Sequence, residues 1–190
     1  MLNKIIILLL FEILFSVKAN AQEASSEVKF GGPFTSISYN KHGASLSVGG
    51  GGTFIEKNNF FIGIFGQGTT SAYKRTILKD TETLLLESKQ TGVWLGYKHR
   101  FSAKPKWSFS VYNKIGFGKA ILDNPEKSLN YYDSIIVYTP NIELGYKVFS
   151  FLEIGLATYY EAFTKIDFYT YTNADFNSYG TSLLFKFKGN

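Results

Sequence analysis

The sequence predicts an all-β fold, an eight-stranded antiparallel up-and-down barrel that crosses a membrane, and three observations predict it. Eight segments alternate apolar residues with small or polar ones, their connections alternate in length, and all of them follow an apolar N-terminal leader. The clearest segment runs from Trp107 to Ile121. Trp107, Phe109, Val111, Ile115, Phe117 and Ile121 share one face, and Ser108, Ser110, Tyr112, Lys114, Gly116, Gly118 and Ala120 share the other. With a two-residue repeat, one face can meet lipid while the other lines a crowded interior.

In the leader, Lys4 precedes an apolar run from Ile5 to Phe15, and small residues end at Ala19-Asn20-Ala21. This is the pattern of a cleaved signal peptide, residues 1–21, which leaves residues 22–190 as one barrel domain. Glu12 interrupts the run, and the unbroken part is too short for a membrane-spanning helix. Downstream of Gln22 no stretch approaches the roughly 18 uninterrupted apolar residues such a helix needs, so crossing is expected by strands.

Period-2 runs bounded by turn residues place strands near 30–39, 44–55, 60–73, 84–101, 107–121, 132–148, 151–163 and 177–188. Pro140 falls inside the sixth and forfeits a ladder hydrogen bond, so a bulge is expected there. Between strands, residues 56–59, 102–106 and 149–150 form short connections, while 76–83, 122–131 and 164–176 are longer and more polar. Short periplasmic turns and long external loops are how membrane barrels are built. The first external connection, Asn40 to Gly43, is the exception in being short.

A soluble lipocalin-type barrel also alternates, but its polar phase meets water and is rich in long polar residues. Here that phase is mostly small, with Gly49, Gly51, Gly96, Gly116, Gly118, Gly145, Gly155, Ala157 and Gly180, as suits the narrow lumen of eight strands. Leu-Gly-Tyr-Lys occurs twice, at Leu95–Lys98 and Leu144–Lys147, each time just before a short turn. Tyr97, Tyr146 and Trp107 are expected in one interfacial belt, and Tyr138, Phe117, Tyr160 and Tyr179 near the other. The eight steps from Tyr138 to Tyr146 span roughly 20 Å in a tilted strand, close to the apolar band of about 25 Å.

The last strand carries the most specific signal. Tyr179-Gly180-Thr181-Ser182-Leu183-Leu184-Phe185-Lys186-Phe187 resembles the C-terminal β-signal of outer-membrane proteins, although Lys188-Gly189-Asn190 follow the aromatic. With leader, size and strand count, the chain resembles the small eight-stranded bacterial outer-membrane barrels typified by the OmpA membrane domain and OmpX. The resemblance implies an outer-membrane location, outer-membrane lipid around the barrel, and the barrel-assembly machinery as a partner in biogenesis.

Several chemistries are excluded or disfavoured. The chain has no cysteine, which removes disulfides, thiolate metal sites, a cysteine nucleophile and a lipid-modified N-terminal cysteine. The net charge of +5 loses only one unit with the leader, and the cations are scattered, so no nucleic-acid partner is expected. His42 and His99 fall at opposite barrel ends, and their spacing supplies neither a hydrolytic triad nor a metal site. Gly49–Gly52 lacks the lysine and helix of a phosphate loop and reads instead as a strand crossed by bulky lumen neighbours. No cofactor is implied.

Two groups of residues remain as candidates. Lys98, Arg100, Lys114, Glu143, Lys147, Glu153 and Glu161, with Gln67 and Asn141, lie in the lumen phase and are expected to pair into a charge network that fills the barrel. Glu143 and Glu153 are expected to meet some of Lys98, Arg100, Lys114 and Lys147. Outside the membrane, residues 73–88 read as a protruding hairpin with Ile77, Leu84 and Leu85 exposed. The loop with Phe168, Tyr169, Tyr171 and Phe176 is dense in aromatics, and exposed aromatics on a rigid scaffold favour recognition. The sequence therefore supports a non-enzymatic outer-membrane protein that presents its loops to an extracellular protein or surface partner. A small-solute pore and a lipid-modifying enzyme are the alternatives, distinguished by lumen width and by whether Ser, His and an acid meet at one rim.

Overall fold

A computed structural model describes residues 30–76, 83–124, 129–166 and 172–188. The proposed leader, and Ile77, Phe168, Tyr169 and Tyr171, lie outside the described residues. Among the described residues nine strands form the wall: β1 (Phe30–Asn40), β2 (Gly43–Lys57), β3 (Phe60–Ser71), β4 (Tyr73–Thr76), β5 (Thr83–Arg100), β6 (Trp107–Asn124), β7 (Leu129–Lys147), β8 (Leu152–Thr164) and β9 (Ser178–Phe187). One helical turn, α1 (Asn173–Phe176), precedes β9.

Neighbouring strands pair antiparallel, and β3 pairs with β5 while β1 pairs with β9, so the sheet closes on itself. Because β4 only extends the β3 strand above the closed ring and pairs with β5 alone, the barrel proper has eight strands. Followed once around the wall, the register advances by about ten residues. For eight strands that stagger corresponds to a tilt of about 40° and a backbone radius of about 8 Å. Such an interior is only wide enough for side chains.

The glycines on the inner face follow from that width. A methyl group on Gly96 would collide with Tyr112, and one on Gly49 with the Phe34 ring and a backbone carbonyl. The outward-facing Gly66 is different: its added carbon would touch nothing nearer than 3.9 Å. In the turns, Asn58 and Asn59 both have positive φ, 51° and 71°, the two-residue conformation that matches strand twist. Lys41 and His42 form the other tight turn, closed by Gly43 at φ 116°.

Strand boundaries match the sequence reading except at the external side. There β6 continues to Asn124 and β7 begins at Leu129, so most of the expected loop 122–131 is ladder. Pro140 does not produce the expected bulge. Its partner on β6 is Asn113, and on the β8 side the register is the same before it (Tyr138 with Ala162) and after it (Asn141 with Tyr159). The ladder to β8 is simply interrupted at Thr139 and Pro140, which is how a closed wall accommodates a missing N–H without an extra residue. Register shifts occur on β2–β3 instead, between Leu46 and Ser47 and between Thr53 and Ile55.

The outward face is apolar. Ile37, Val48, Ile64, Val111, Ile142 and Leu156 are all exposed, the inverse of a water-soluble barrel. Aromatic pairs mark both ends of this band. Trp107 meets Tyr146 at 4.9 Å between ring centroids and Phe60 meets Tyr97 at 5.2 Å near the short turns, and Tyr160 meets Tyr179 at 4.8 Å towards the long loops.

Candidate functional site: a filled lumen and its cap

The lumen is built in tiers. At the short-turn end the Lys98 ammonium donates to both oxygens of Glu153, at 2.6 and 2.7 Å, and Ser108 Oγ adds a third contact at 3.3 Å. Lys186, one residue in from the end of β9, bonds to Glu143 and lies 3.7 Å from Glu153. The β8–β9 register contributes to this cluster by setting Glu153 opposite Lys186, while Lys98 of β5 reaches Glu153 across the lumen.

Above these charges sits an apolar and aromatic layer of Phe30, Phe34, Phe61, Phe65, Trp94, Tyr112, Ala157 and Leu184. Trp94 stacks on Phe65 and meets Tyr112 edge-on at 6.2 Å. Lys114 reaches into this layer with its ammonium 4.2 Å from the Phe34 centroid and 5.2 Å from that of Phe65. Among the described residues no carboxylate is within ion-pair distance of it, and the ring faces help to stabilise its charge.

Glu161 forms the next tier. Its carboxylate accepts from Gln67 at 2.8 Å, Gln90 at 3.1 Å and Ser178 at 3.2 Å, neutral donors from three other strands. The six buried or nearly buried lumen ions balance, with Lys98, Lys114 and Lys186 against Glu143, Glu153 and Glu161. Balance of this kind is what a low-dielectric interior demands.

An apolar plug closes the far end. Leu86, Ala120, Leu122, Ile135, Val137, Phe163, Ile166 and Phe176 pack together, and Leu86, Ala120 and Val137 are completely inaccessible. The one-turn helix α1 lies over this plug and inserts Phe176, whose ring centroid is 5.8 Å from that of Phe163. Asn173 and Asn177 flank the turn and accept from the Ile166 and Phe163 amides, at 2.9 and 2.8 Å.

Asp175 ties this cap to the opposite wall. Lys41 Nζ and His42 Nε2 contact one carboxylate oxygen at 2.7 and 3.0 Å, and the Thr172 amide and hydroxyl donate to the other at 2.8 and 2.9 Å. Asn40 donates to the Asp175 carbonyl at 3.0 Å. Burial pushes the Asp175 carboxyl up, but the hydrogen bonds from Lys41, the Thr172 backbone, His42 and the Thr172 hydroxyl outweigh it and hold it well below the usual carboxylate range. The tight β1–β2 turn is what brings Lys41 and His42 within reach.

These placements amend the sequence reading at several points. Arg100 belongs to the rim, where it is half exposed and bonds to Glu56 at 3.1 Å. Lys147 is likewise exposed at the mouth. Lengthwise the lumen ends before either residue, so neither joins the buried network. The partner of Glu143 is Lys186, absent from the candidate group although it shares the phase of Gly180, Ser182 and Leu184. Phe176 is buried, 2% exposed, and is an anchor of the cap and not a recognition residue. Leu86, at the base of the predicted hairpin, is a plug residue too. His42 does meet an acid, contrary to its apparent isolation, because the last loop folds back over the first. That acid is a tether shared with Lys41 and Thr172. His99 stays on the outer face, edge-on to Phe101 at 5.2 Å.

The fold is that of a transmembrane-type barrel. Among solved structures the chain is similar to Neisserial surface protein A, with a TM-score of 0.63, 10% identity, and coverage of 84% of this chain and 95% of that one. It is also similar to the N-terminal β-barrel domain of OprF from Pseudomonas aeruginosa, with a TM-score of 0.55, 7% identity, and coverage of 85% and 98%. At these identities the likeness is one of fold. No protein-family model and no curated protein matches the sequence.

Two expected outcomes follow from the tiers. Glu143→Ala removes the bonding partner of Lys186, leaving only Glu153 3.7 Å away and already held by Lys98, and lowers stability in detergent by about 3 to 5 kcal/mol, whereas Glu153→Ala, whose side chain is 16% exposed at the mouth, costs less. Denaturant unfolding followed by tryptophan fluorescence checks the order of the two. For the cap, a carboxyl held low contributes its full stabilisation above the ordinary carboxylate pKa of about 4 and loses it only as pH falls through the lower folded value. Protection factors of the Phe163 and Ile166 amides are therefore equal at pH 7 and pH 5, and fall in strong acid. In Asp175→Asn they are about tenfold lower than in the wild type at pH 7 and pH 5, and the difference closes in strong acid.

Proposed function

We propose that the protein is an integral, non-enzymatic outer-membrane barrel, exported behind a cleaved leader formed by residues 1–21, whose external strands serve recognition. The observation that carries this reading is the filled lumen. The cavities among the plug and aromatic residues are about 10 Å³ each, room for no more than a single water and none for a solute in transit. This favours a scaffold over a pore. The fold shared with Neisserial surface protein A and the OprF barrel domain, together with the apolar outer face, supports the outer-membrane setting.

The external side offers the surface for recognition. Above the closed ring, β4, β5, β6 and β7 continue as a sheet, with Tyr73–Thr76 paired to Thr83–Leu86 and β6 paired to β7 up to Asn124 and Leu129. Residues 129–135 of β7 pair with β6, while pairing with β8 starts only at Ile136, so among the described residues this stretch has no strand partner on its β8 side. Tyr131 and Tyr132 stand exposed on this stretch, and Leu85 is half-buried on β5. Leu84 lies in β5 opposite Arg75. An edge with exposed tyrosines can take an extended partner segment by strand addition.

The test is a display experiment. The full chain fractionates with outer membranes, resists alkaline extraction, and migrates differently on gels when unboiled, since a closed wall has no edge from which to unravel. Replacing residues 74–85 by an Asn-Gly turn keeps Leu86 in the plug and preserves that gel shift, yet lowers adhesion of displaying cells to a host-cell monolayer. Alkaline release would contradict integration, and undiminished adhesion would remove the recognition role from this sheet.

A further inference from the structure

The short-turn end of the barrel carries positive charge that the lumen does not use. A cleft of about 80 Å³ opens there between the ends of β5, β7 and β9 and the turn before β8. Lys98, Arg100, Lys147, Lys186 and Lys188 line it, against the carboxylates of Glu56 and Glu153. Three of the five cations are spoken for. Lys98 is held by Glu153, Arg100 by Glu56, and Lys186 by Glu143 beneath the floor.

Lys147 and Lys188 have no carboxylate partner among the described residues, and both are exposed. Their backbones are nonetheless fixed. The Lys147 amide donates to the Lys106 carbonyl at 2.7 Å, and the Lys188 amide donates to the Phe151 carbonyl at 2.8 Å. They therefore flank the start of β8 from its two neighbouring strands. Next to Lys147 a second groove brings Lys106 to the same rim.

We propose that this cleft binds a phosphate group, held by Lys147 and Lys188. The floor is electrically neutral because its ions are paired, so the site is left with two surplus positive charges. A carboxylate would neutralise one of them, and a phosphate can neutralise more while offering oxygens to several ammonium donors. The phosphate can come from two sources. One is the headgroup of an anionic phospholipid in the adjoining leaflet, which the exposed, stacked Phe149 and Phe151 rings would border, and this source rests on the membrane reading above. The other is a free phosphate-bearing solute entering the mouth.

The mature chain folded in octyl glucoside decides the second source. Inorganic phosphate is titrated against it at constant ionic strength, and ³¹P line broadening is read. In nanodiscs of phosphatidylcholine with phosphatidylglycerol, native mass spectrometry counts the lipids retained and decides the first. Expected is saturable broadening, selective retention of phosphatidylglycerol, or both, weakened by added salt and reduced about tenfold in the Lys147→Gln, Lys188→Gln double variant. The Lys119→Gln, Lys165→Gln variant, altered at the other end, behaves as wild type. Response in one arm only identifies the source. Absence of response in both, or a response unchanged in a double variant that keeps the folded gel shift, overturns the proposal. A chain that folds in detergent but fails to enter nanodiscs contradicts the membrane reading instead, and the phosphate titration still decides the site.

Discussion

Closing eight strands with a stagger of about ten residues leaves a tube whose backbone radius is about 8 Å, and the rest of the structure answers to that width. Inward side chains are largely shut off from water there, so space is scarce and an inward charge needs a stabilising neighbour. Where a large ring crosses, as Phe34 does opposite Gly49 or Tyr112 opposite Gly96, the facing position has no Cβ. Where a charge points inward, a second charge, a ring of neutral donors or an aromatic face meets it. Glu143 with Lys186, Glu161 with Gln67, Gln90 and Ser178, and Lys114 with Phe34 and Phe65 are three solutions to one problem.

The same constraint explains the vertical order. Ion pairs occupy the end nearest the short turns, where Glu153 retains some contact with water and the desolvation cost is smaller. Aromatics and the buried Glu161 fill the middle. An apolar plug ends the lumen, and the last loop folds inward to complete it, with Phe176 as the anchor and Asp175 as the tether to the β1–β2 turn. The external strands of β4 to β7 and the basic rim are the parts we propose to meet other molecules.

Much of this was legible because strands have a period of two. Once Gly116 and Lys114 are placed inside, the facing of Lys98, Glu143 and Glu161 follows by counting, as does that of Lys186, which a reading centred on the aromatic pattern of the last strand passes over. Counting cannot say where the lumen ends, which is why Arg100 and Lys147 share the right phase but stand at the rim. Nor can it follow a loop that folds back. The contact of Asp175 with Lys41 and His42 joins residues more than 130 positions apart, and nothing in the local pattern of either segment announces it. Pro140 illustrates a different limit. A missing donor requires an interrupted ladder, but local sequence does not decide between a bulge and a simple gap, and the neighbouring register settled it as a gap.

The central claim is that the interior is packed shut and not a conduit, and electrical recording tests it most directly. The barrel, folded and inserted into a planar bilayer, is predicted to show no steady conductance above the bare membrane in concentrated salt at either polarity. Sustained ohmic current, reproducible from one insertion to the next, would contradict the packed lumen and restore the pore.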